Sequence, residues 1–222
     1  MKDPSHTKYL YIETDGMVYL VQRDGRLTLP SADEELSFRT ESKFELTVKE
    51  QEVLFCRPIL DHHPKEWYHK DLIPGMDSVD PLVRLAVNMT HPRVVVEALI
   101  LRNDEVLLVK PNRGFNEGQW TLPGGFVSYG EAPEEAVLRE VQEEVGVTGR
   151  VKKLLGVETF VGKNSFFTWH MFFFEVALEN PMLAEFHPAA DEIEEVRWFK
   201  LNEGVDVMQG IKKLRLQKYL PV

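Results

Sequence analysis

Three glutamates, Glu140, Glu143 and Glu144, stand at i, i+3 and i+4 in the run GGFVSYGEAPEEAVLREVQEEVGV, which carries six glutamates and a single arginine, Arg139. On a helix they fall within an arc of about 100° on one side. Like charges at these spacings repel by a few tenths of a kcal/mol per pair. Positive charge therefore belongs over them, and Arg139 alone cannot neutralise all three. A hard divalent cation takes carboxylate oxygens, and Mg²⁺ keeps waters and completes its shell with a substrate phosphate. Taken alone, the charge pattern fits a solvated acidic helix face at least as well as a cation seat.

The flanking residues define the helix. Pro133 suits a first turn and Gly146 a C-terminal cap, so the spacing predicts a helix from about Pro133 to Val145. Glu131, Glu134 and Glu135 then lie near its positive end, and Leu138, Val141 and Val145 form an apolar stripe. The wider spacing is more specific than the charge. Gly125, Glu131, Arg139, Glu140, Val141, Glu143, Glu144, Gly146 and Val147 satisfy G-x5-E-x7-R-E-U-x-E-E-x-G-U, with U apolar, at all nine defined positions. This run resembles the Nudix box, and the preceding WTLPGG is similar to the family's usual approach to it.

The resemblance covers roughly residues 93 to 205. It implies an α/β/α Nudix sandwich with a mixed sheet and metal-dependent hydrolysis of a nucleoside diphosphate linked to another group, by water attack on phosphorus. It implies Glu140, Glu143 and Glu144 as metal ligands, the Gly125 carbonyl as a further one, and Glu131 with Arg139 as an orienting ion pair. The expected cofactor is Mg²⁺, with Mn²⁺ able to substitute. A box glutamate is the first expectation for the general base, and Glu192, in the later run DEIEEVRW, is the second, while Glu143 and Glu140 with Arg139 and Glu131 form the expected catalytic set. An isomerase of the same fold would need a cysteine in the catalytic domain, and the single cysteine, Cys56, lies outside it. A non-catalytic nucleotide sensor is the alternative reading, although no box ligand is degraded.

Beyond the box, Lys110 and Arg113 follow an expected strand and are candidates to contact the substrate's phosphates, with solvent-facing loop cations as the equal alternative. Phe160, Phe166, Phe167 and Trp169 are candidates to line a nucleobase or sugar pocket, whereas Trp120 reads as core. His62, His63 and His69 in DHHPKEWYH read as solvent-exposed rather than as a metal site, and the basic KKLRLQK near the C-terminus reads as a solvated helix face.

These residues need a scaffold, and 222 residues with 43% hydrophobic content suffice to bury a core. A formal charge of −10 disfavours sequence-independent nucleic-acid or anionic-membrane binding, and no sequence-specific nucleic-acid partner is expected. No apolar run is long enough to span a bilayer, and the first residues lack a signal-peptide pattern, so a cytoplasmic protein is expected. One cysteine excludes an intrachain disulfide.

Texture changes near residue 90, giving an N-terminal unit over 1–90, small and mainly antiparallel β, and the Nudix domain over 91–222. In the first, KYLYIET, MVYLVQR, RLTLP and FELTVKEQEVLFCRPI read as strands around Asp15-Gly16 and Asp24-Gly25, and LVRLAVNMTHP as a short helix. In the second, RVVVEALILR and EVLLVK flank a tight turn at Asn103-Asp104. KKLLGVETFVG, SFFTWHMFFFEVAL and EEVRWFKL follow as strands, and DVMQGIKKLRLQKYL as one final helix. A homodimer acting on a small nucleotide substrate is expected, the N-terminal unit serving as dimerisation module, substrate lid or separate binding domain. THPRVVVEALIL is similar to the entry into the catalytic domain of NADH pyrophosphatases, but their four zinc cysteines and later proline-rich signature are missing here. The substrate class therefore stays open between nucleotide sugars, dinucleotides and related compounds.

Overall fold

The computed structural model describes residues 7–48, 51–161, 167–180 and 185–220. The chain forms two compact units, and the division falls between His91 and Pro92.

The first unit contains β1 (Tyr9–Thr14), β2 (Met17–Tyr19), β3 (Val21–Arg23), β4 (Arg26–Thr28), β5 (Arg39–Val48), β6 (Gln51–Ile59), β7 (Tyr68–His69) and helix α1 (Pro81–Thr90). Its main sheet runs β5-β6-β1-β2-β7, and β3 and β4 form a hairpin of their own. Pairings are antiparallel except β1 with β6, which is parallel. Asp15-Gly16 and Asp24-Gly25 turn with both residues at positive φ, the conformation that two-residue hairpin loops require. MVYLVQR is not one strand: the chain leaves the sheet at buried Leu20, so that β3 can fold onto β4. Residues 44–59 are likewise two strands, paired as a hairpin across residues 49–50, which lie outside the described residues.

Helix α1 buries Val83, Ala86 and Val87 against Tyr11, Val18, Leu29 and Val53. Asp80 caps it by accepting a 2.8 Å bond from the Leu82 amide. Tyr11, fully buried, donates to Glu13 Oε2 at 2.7 Å and accepts from Thr90 Oγ1 at 3.2 Å, and the Lys70 ammonium closes on Glu13 at 2.8 Å. The phenol is satisfied at both ends, so this core holds a polar group without a stranded donor.

The second unit contains β8 (Arg93–Arg102), β9 (Glu105–Pro111), β10 (Gly124–Phe126), α2 (Pro133–Val145), β11 (Gly149–Val161), β12 (Thr168–Leu178), β13 (Ile193–Lys200), α3 (Leu201–Val207) and α4 (Gly210–Gln217). The sheet order is β11-β12-β8-β9-β13, with β10 paired to β8. The sheet is mixed, because β12 runs parallel to β8 while the other pairs are antiparallel. Period-2 alternation on β8 feeds two cores. Val96, Ala98 and Ile100 join Val137, Val141 and Val145 of α2, while Val95 and Leu99 join Val205 and Leu216 of α3 and α4. Helices therefore cover both faces, giving the α/β/α arrangement. Trp120 belongs to the second core and meets Phe199 edge-on at 4.8 Å.

Two expectations fail here. The last helix is two helices, because Met208 is extended and Gly210 sits at φ 62, which breaks the ladder between α3 and α4. The basic run is not wholly solvated either. Arg215 is buried, donating to the Leu155 carbonyl at 3.2 Å and to Glu158 at 2.8 Å, while Lys212 also turns inward. In the expected strand SFFTWHMFFFEVAL, Ser165 and Phe166 lie outside the described residues and the strand begins at Thr168.

Helix α2 ends at Gly146, left-handed at φ 78 and pressed against the carbonyl of His187, where a Cβ would collide. Gly146→Ala is expected to lower the unfolding free energy by about 2 kcal/mol or more. A urea melt that leaves the midpoint unchanged would show that the His187 segment yields without cost.

Candidate active site

The site is built where α2 lies against β10. Gly124 and Gly125 oppose Glu97 and Val96 of β8. The Gly124 amide donates to Glu144 Oε2 at 2.8 Å. A Cβ placed on Gly125 would lie 2.5 Å from Glu140 Oε1, so only glycine lets that carboxylate reach the strand. Buried Ala136, Val137, Val141 and Val145 fasten the helix to the sheet, with Leu138 only partly buried at the edge of this stripe. The same packing turns Glu140 and Glu144 inward with the core, each only 9% exposed. Glu143 stays at the rim with its side chain 46% exposed.

Arg139 organises the rim. Its Nε and Nη2 donate to the two oxygens of Glu131 at 2.8 and 3.1 Å, Nη1 donates to Glu140 and Glu143 at 2.8 and 2.9 Å, and Nη2 also reaches the Phe126 carbonyl at 2.9 Å. Glu131 further accepts from the Ser128 amide at 2.9 Å. The Arg139 fork, with that amide, holds the Glu131 carboxyl down at about 2. Desolvation acts the opposite way inside. Burial pushes Glu144 up to about 8, against the Gly124 bond, and burial raises Glu140 against the pull of Arg139.

A fourth carboxylate stands beside these. Glu97 is 3% exposed, its Oε1 lies 2.7 Å from Lys212 Nζ, and Lys212 donates in turn to Thr121 Oγ1 at 2.8 Å. Glu97 Oε2 is buried without a hydrogen-bond partner, and burial pushes this carboxyl up to about 7. Glu97, Lys212 and Thr121 lie outside the nine-position motif. The signal was present in RVVVEALILR, where one charged residue interrupts an apolar strand interior.

The residues suit a hard cation by donor type, since Glu140 and Glu144 bring oxygen donors to a desolvated corner beside a glycine. Among the described residues, however, no three acidic, histidine or cysteine side chains converge as a finished metal cage. Glu143 is turned to Arg139, whose Nη1 it shares with Glu140.

Other candidates are placed as follows. Lys110 binds Glu194 at 2.8 Å, and Arg113 is paired with Glu192. Asn112 bonds the Glu192 and Ala190 backbone, and the Ala189 amide bonds the Glu143 carbonyl at 2.9 Å. The segment carrying Glu192 is thus tied both to the end of β9 and to the last turn of α2. Phe160 and Trp169 stack at 6.2 Å, and Phe126, 56% exposed next to Gly125, meets Trp169 at 5.5 Å. Phe166 lies outside the described residues. His63 pairs with Asp15 at 2.9 Å and His69 faces Asp71 at 3.7 Å. Cys56 is free and buried. No helix among the described residues is long and apolar enough to cross a membrane.

The sequence model of the family described as NUDIX domain matches residues 91–218. Over 67 residues, 30% of this chain, the sequence is 48% identical to an ADP-ribose pyrophosphatase of Methanocaldococcus jannaschii and spans 40% of that protein's length. Over 116 residues, 52% of this chain, it is 32% identical to the diphosphoinositol polyphosphate phosphohydrolase 3-alpha of Mus musculus, spanning 67% of it. A crystal structure of a NUDIX hydrolase from Nitrosomonas europaea shares the fold, with a TM-score of 0.50 and 24% identity, over 59% of this chain and 70% of that one.

Removing the guanidinium strands Glu140, whose side chain is 11% exposed. Arg139→Ala is expected to destabilise the fold by about 2 kcal/mol, whereas Glu143→Ala at the rim changes stability by less than about 0.5 kcal/mol. Equal shifts in denaturant midpoint for the two variants would contradict this division between interior and rim.

Proposed function

Because this chain belongs to the NUDIX family, with the match covering more than half its length, we propose that it hydrolyses the diphosphate linkage of a nucleoside diphosphate-X compound in a metal-dependent reaction. One observation supports this most: two carboxylates of α2 are buried against a two-glycine strand, and an arginine anchored by Glu131 stands alongside. A structural helix face has no reason to bury Glu140 and Glu144 side by side.

In this reading Glu140, Glu143 and Glu144, with the Gly125 carbonyl, hold Mg²⁺ or Mn²⁺. What the cation supplies when bound is charge neutralisation across the diphosphate. The chain does the rest. Arg139 keeps its two bonds to Glu131 and so stays in place when Glu140 and Glu143 exchange partners. Glu143, the more exposed of the three, takes one proton from the attacking water as the water oxygen bonds to one phosphorus and the bridging P–O bond breaks, the second phosphate departing with the bridging oxygen to give two phosphate-bearing products. Lys110 and Arg113 move from Glu194 and Glu192 to phosphate oxygens, which leaves Glu192 as the second candidate base. The face of Phe126, with Trp169 and Phe160 behind it, receives an aromatic base or the sugar of the substrate. We further propose a cytoplasmic homodimer with residues 1–90 as a separate domain and 91–222 as the catalytic one.

The deciding experiment is a hydrolysis screen over nucleotide sugars, dinucleotides and nucleoside triphosphates with Mg²⁺ and Mn²⁺, both products identified by mass. Cleavage abolished by a chelator and restored by either ion is expected. Glu143→Gln should lower kcat about a hundredfold or more with an unchanged melting temperature. Absence of turnover across the panel overturns the proposal, and tight nucleotide binding without cleavage replaces it with a sensor.

A further inference from the structure

Glu97 lies outside the nine-position motif yet belongs to the same charged interior. It is the register partner of Gly124, the residue whose amide holds Glu144. Neighbours on β8 show which face it takes: Val95 and Leu99 pack with α3 and α4, and from α4 comes Lys212, 2.7 Å from Glu97 Oε1. Glu140 and Glu144 come from α2, on the opposite face. The strand between them, β10, carries glycines at 124 and 125, which leave no side chain to screen one face from the other. Glu97 and Glu140 lie within electrostatic reach of each other, and Glu144 lies within reach of Glu97 and Lys212.

The second carboxylate oxygen of Glu97 is buried without a partner, in a side chain only 3% exposed. A buried unpaired carboxylate oxygen is costly, and a structural ion pair needs no such orphan. Lys212 is committed to Glu97 and Thr121, so it cannot serve the α2 pair as a direct partner. What remains is a field: one buried acid and one ammonium beside the two glycines of β10.

We propose that Glu97 and Lys212 are a positioning pair that sets how strongly the Glu140–Glu144 corner binds a divalent cation, acting through the glycine strand from the α4 side. The inference rests on the reading that this corner holds the cation. Glu97 adds negative potential at the corner and Lys212 subtracts from it. The two residues therefore have opposite effects on cation affinity, although both belong to one ion pair. A merely structural pair predicts the same effect from either loss.

Direct Mn²⁺ binding to the purified full chain, followed by electron paramagnetic resonance or calorimetry without substrate, separates these cases. Measured at alkaline pH, above the value of about 7 to which burial pushes the Glu97 carboxyl, so that this acid is ionised, Glu97→Gln is expected to weaken Mn²⁺ binding roughly tenfold, and Lys212→Met to strengthen it by a similar factor, the scale of one charge acting across a partly screened interior. The double variant should return near the wild-type value. Lys212→Arg keeps the charge and should leave affinity within about twofold, and a near-ultraviolet circular dichroism spectrum like that of wild type guards against a folding defect in Lys212→Met. Shifts of the same sign, or none, in variants whose wild type binds Mn²⁺ overturn the proposal. A wild type that binds no Mn²⁺ would instead overturn the reading of the corner itself.

Discussion

The constraint on which this structure turns is the burial of carboxylates. Glu140 and Glu144 share the inward side of α2 with Ala136, Val137, Val141 and Val145, so the packing that fixes the helix also removes two acids from water. Moving a carboxylate into the interior is unfavourable by several kcal/mol unless hydrogen bonds or a counter-charge offset it. The offsets are visible: the Gly124 amide on Glu144, Arg139 Nη1 on Glu140, and Lys212 nearby. Each fixes a piece of backbone. The amide fixes β10, Arg139 ties the Phe126 carbonyl and, through Glu131, the loop at Ser128, and the ammonium ties α4 to β8.

Glycine at 124 and 125 follows from the same constraint. A side chain at 125 would occupy the place of the Glu140 carboxylate, and one at 124 would strike the backbone of Val96. Gly146 has a different reason, because it ends α2 in the left-handed region where the chain must turn beneath His187. The segment beyond His187 then reaches the last turn of α2 through the Ala189 amide and the end of β9 through Asn112. It carries Glu192, which pairs with Arg113. The charged side chains of this region are thereby attached to rigid elements at several points.

Most of this second unit was legible because its signals are local. Proline at 133 and glycine at 146 delimit α2, and alternation on β8 announces a strand with two buried faces. The nine-position spacing identifies the box, yet it does not reveal that Glu140 and Glu144 are buried while Glu143 is at the rim. That division comes from contact with β10, a long-range event. Lys212 and Arg215 were read as a solvated face for the same reason: their partners Glu97 and Glu158 lie 115 and 57 residues away in the chain. The split of MVYLVQR at Leu20 was equally hidden, because both halves have strand character and only the Asp24-Gly25 turn draws the second onto β4.

Arg139 shows why one cation can sit among several acids without closing the site. Its grip on Glu131 uses two donors of a planar fork, a geometry that resists displacement. The bonds to Glu140 and Glu143 share the remaining Nη1 and are correspondingly easier to exchange. A divalent ion carries twice the charge and demands a tighter oxygen shell. In the proposed reaction such an ion would compete for Glu140 and Glu143 but not for Glu131, whose carboxyl, held down at about 2, has little tendency to leave its arginine. The arginine thus keeps its anchor through such an exchange, and the rim holds its shape while its partners change.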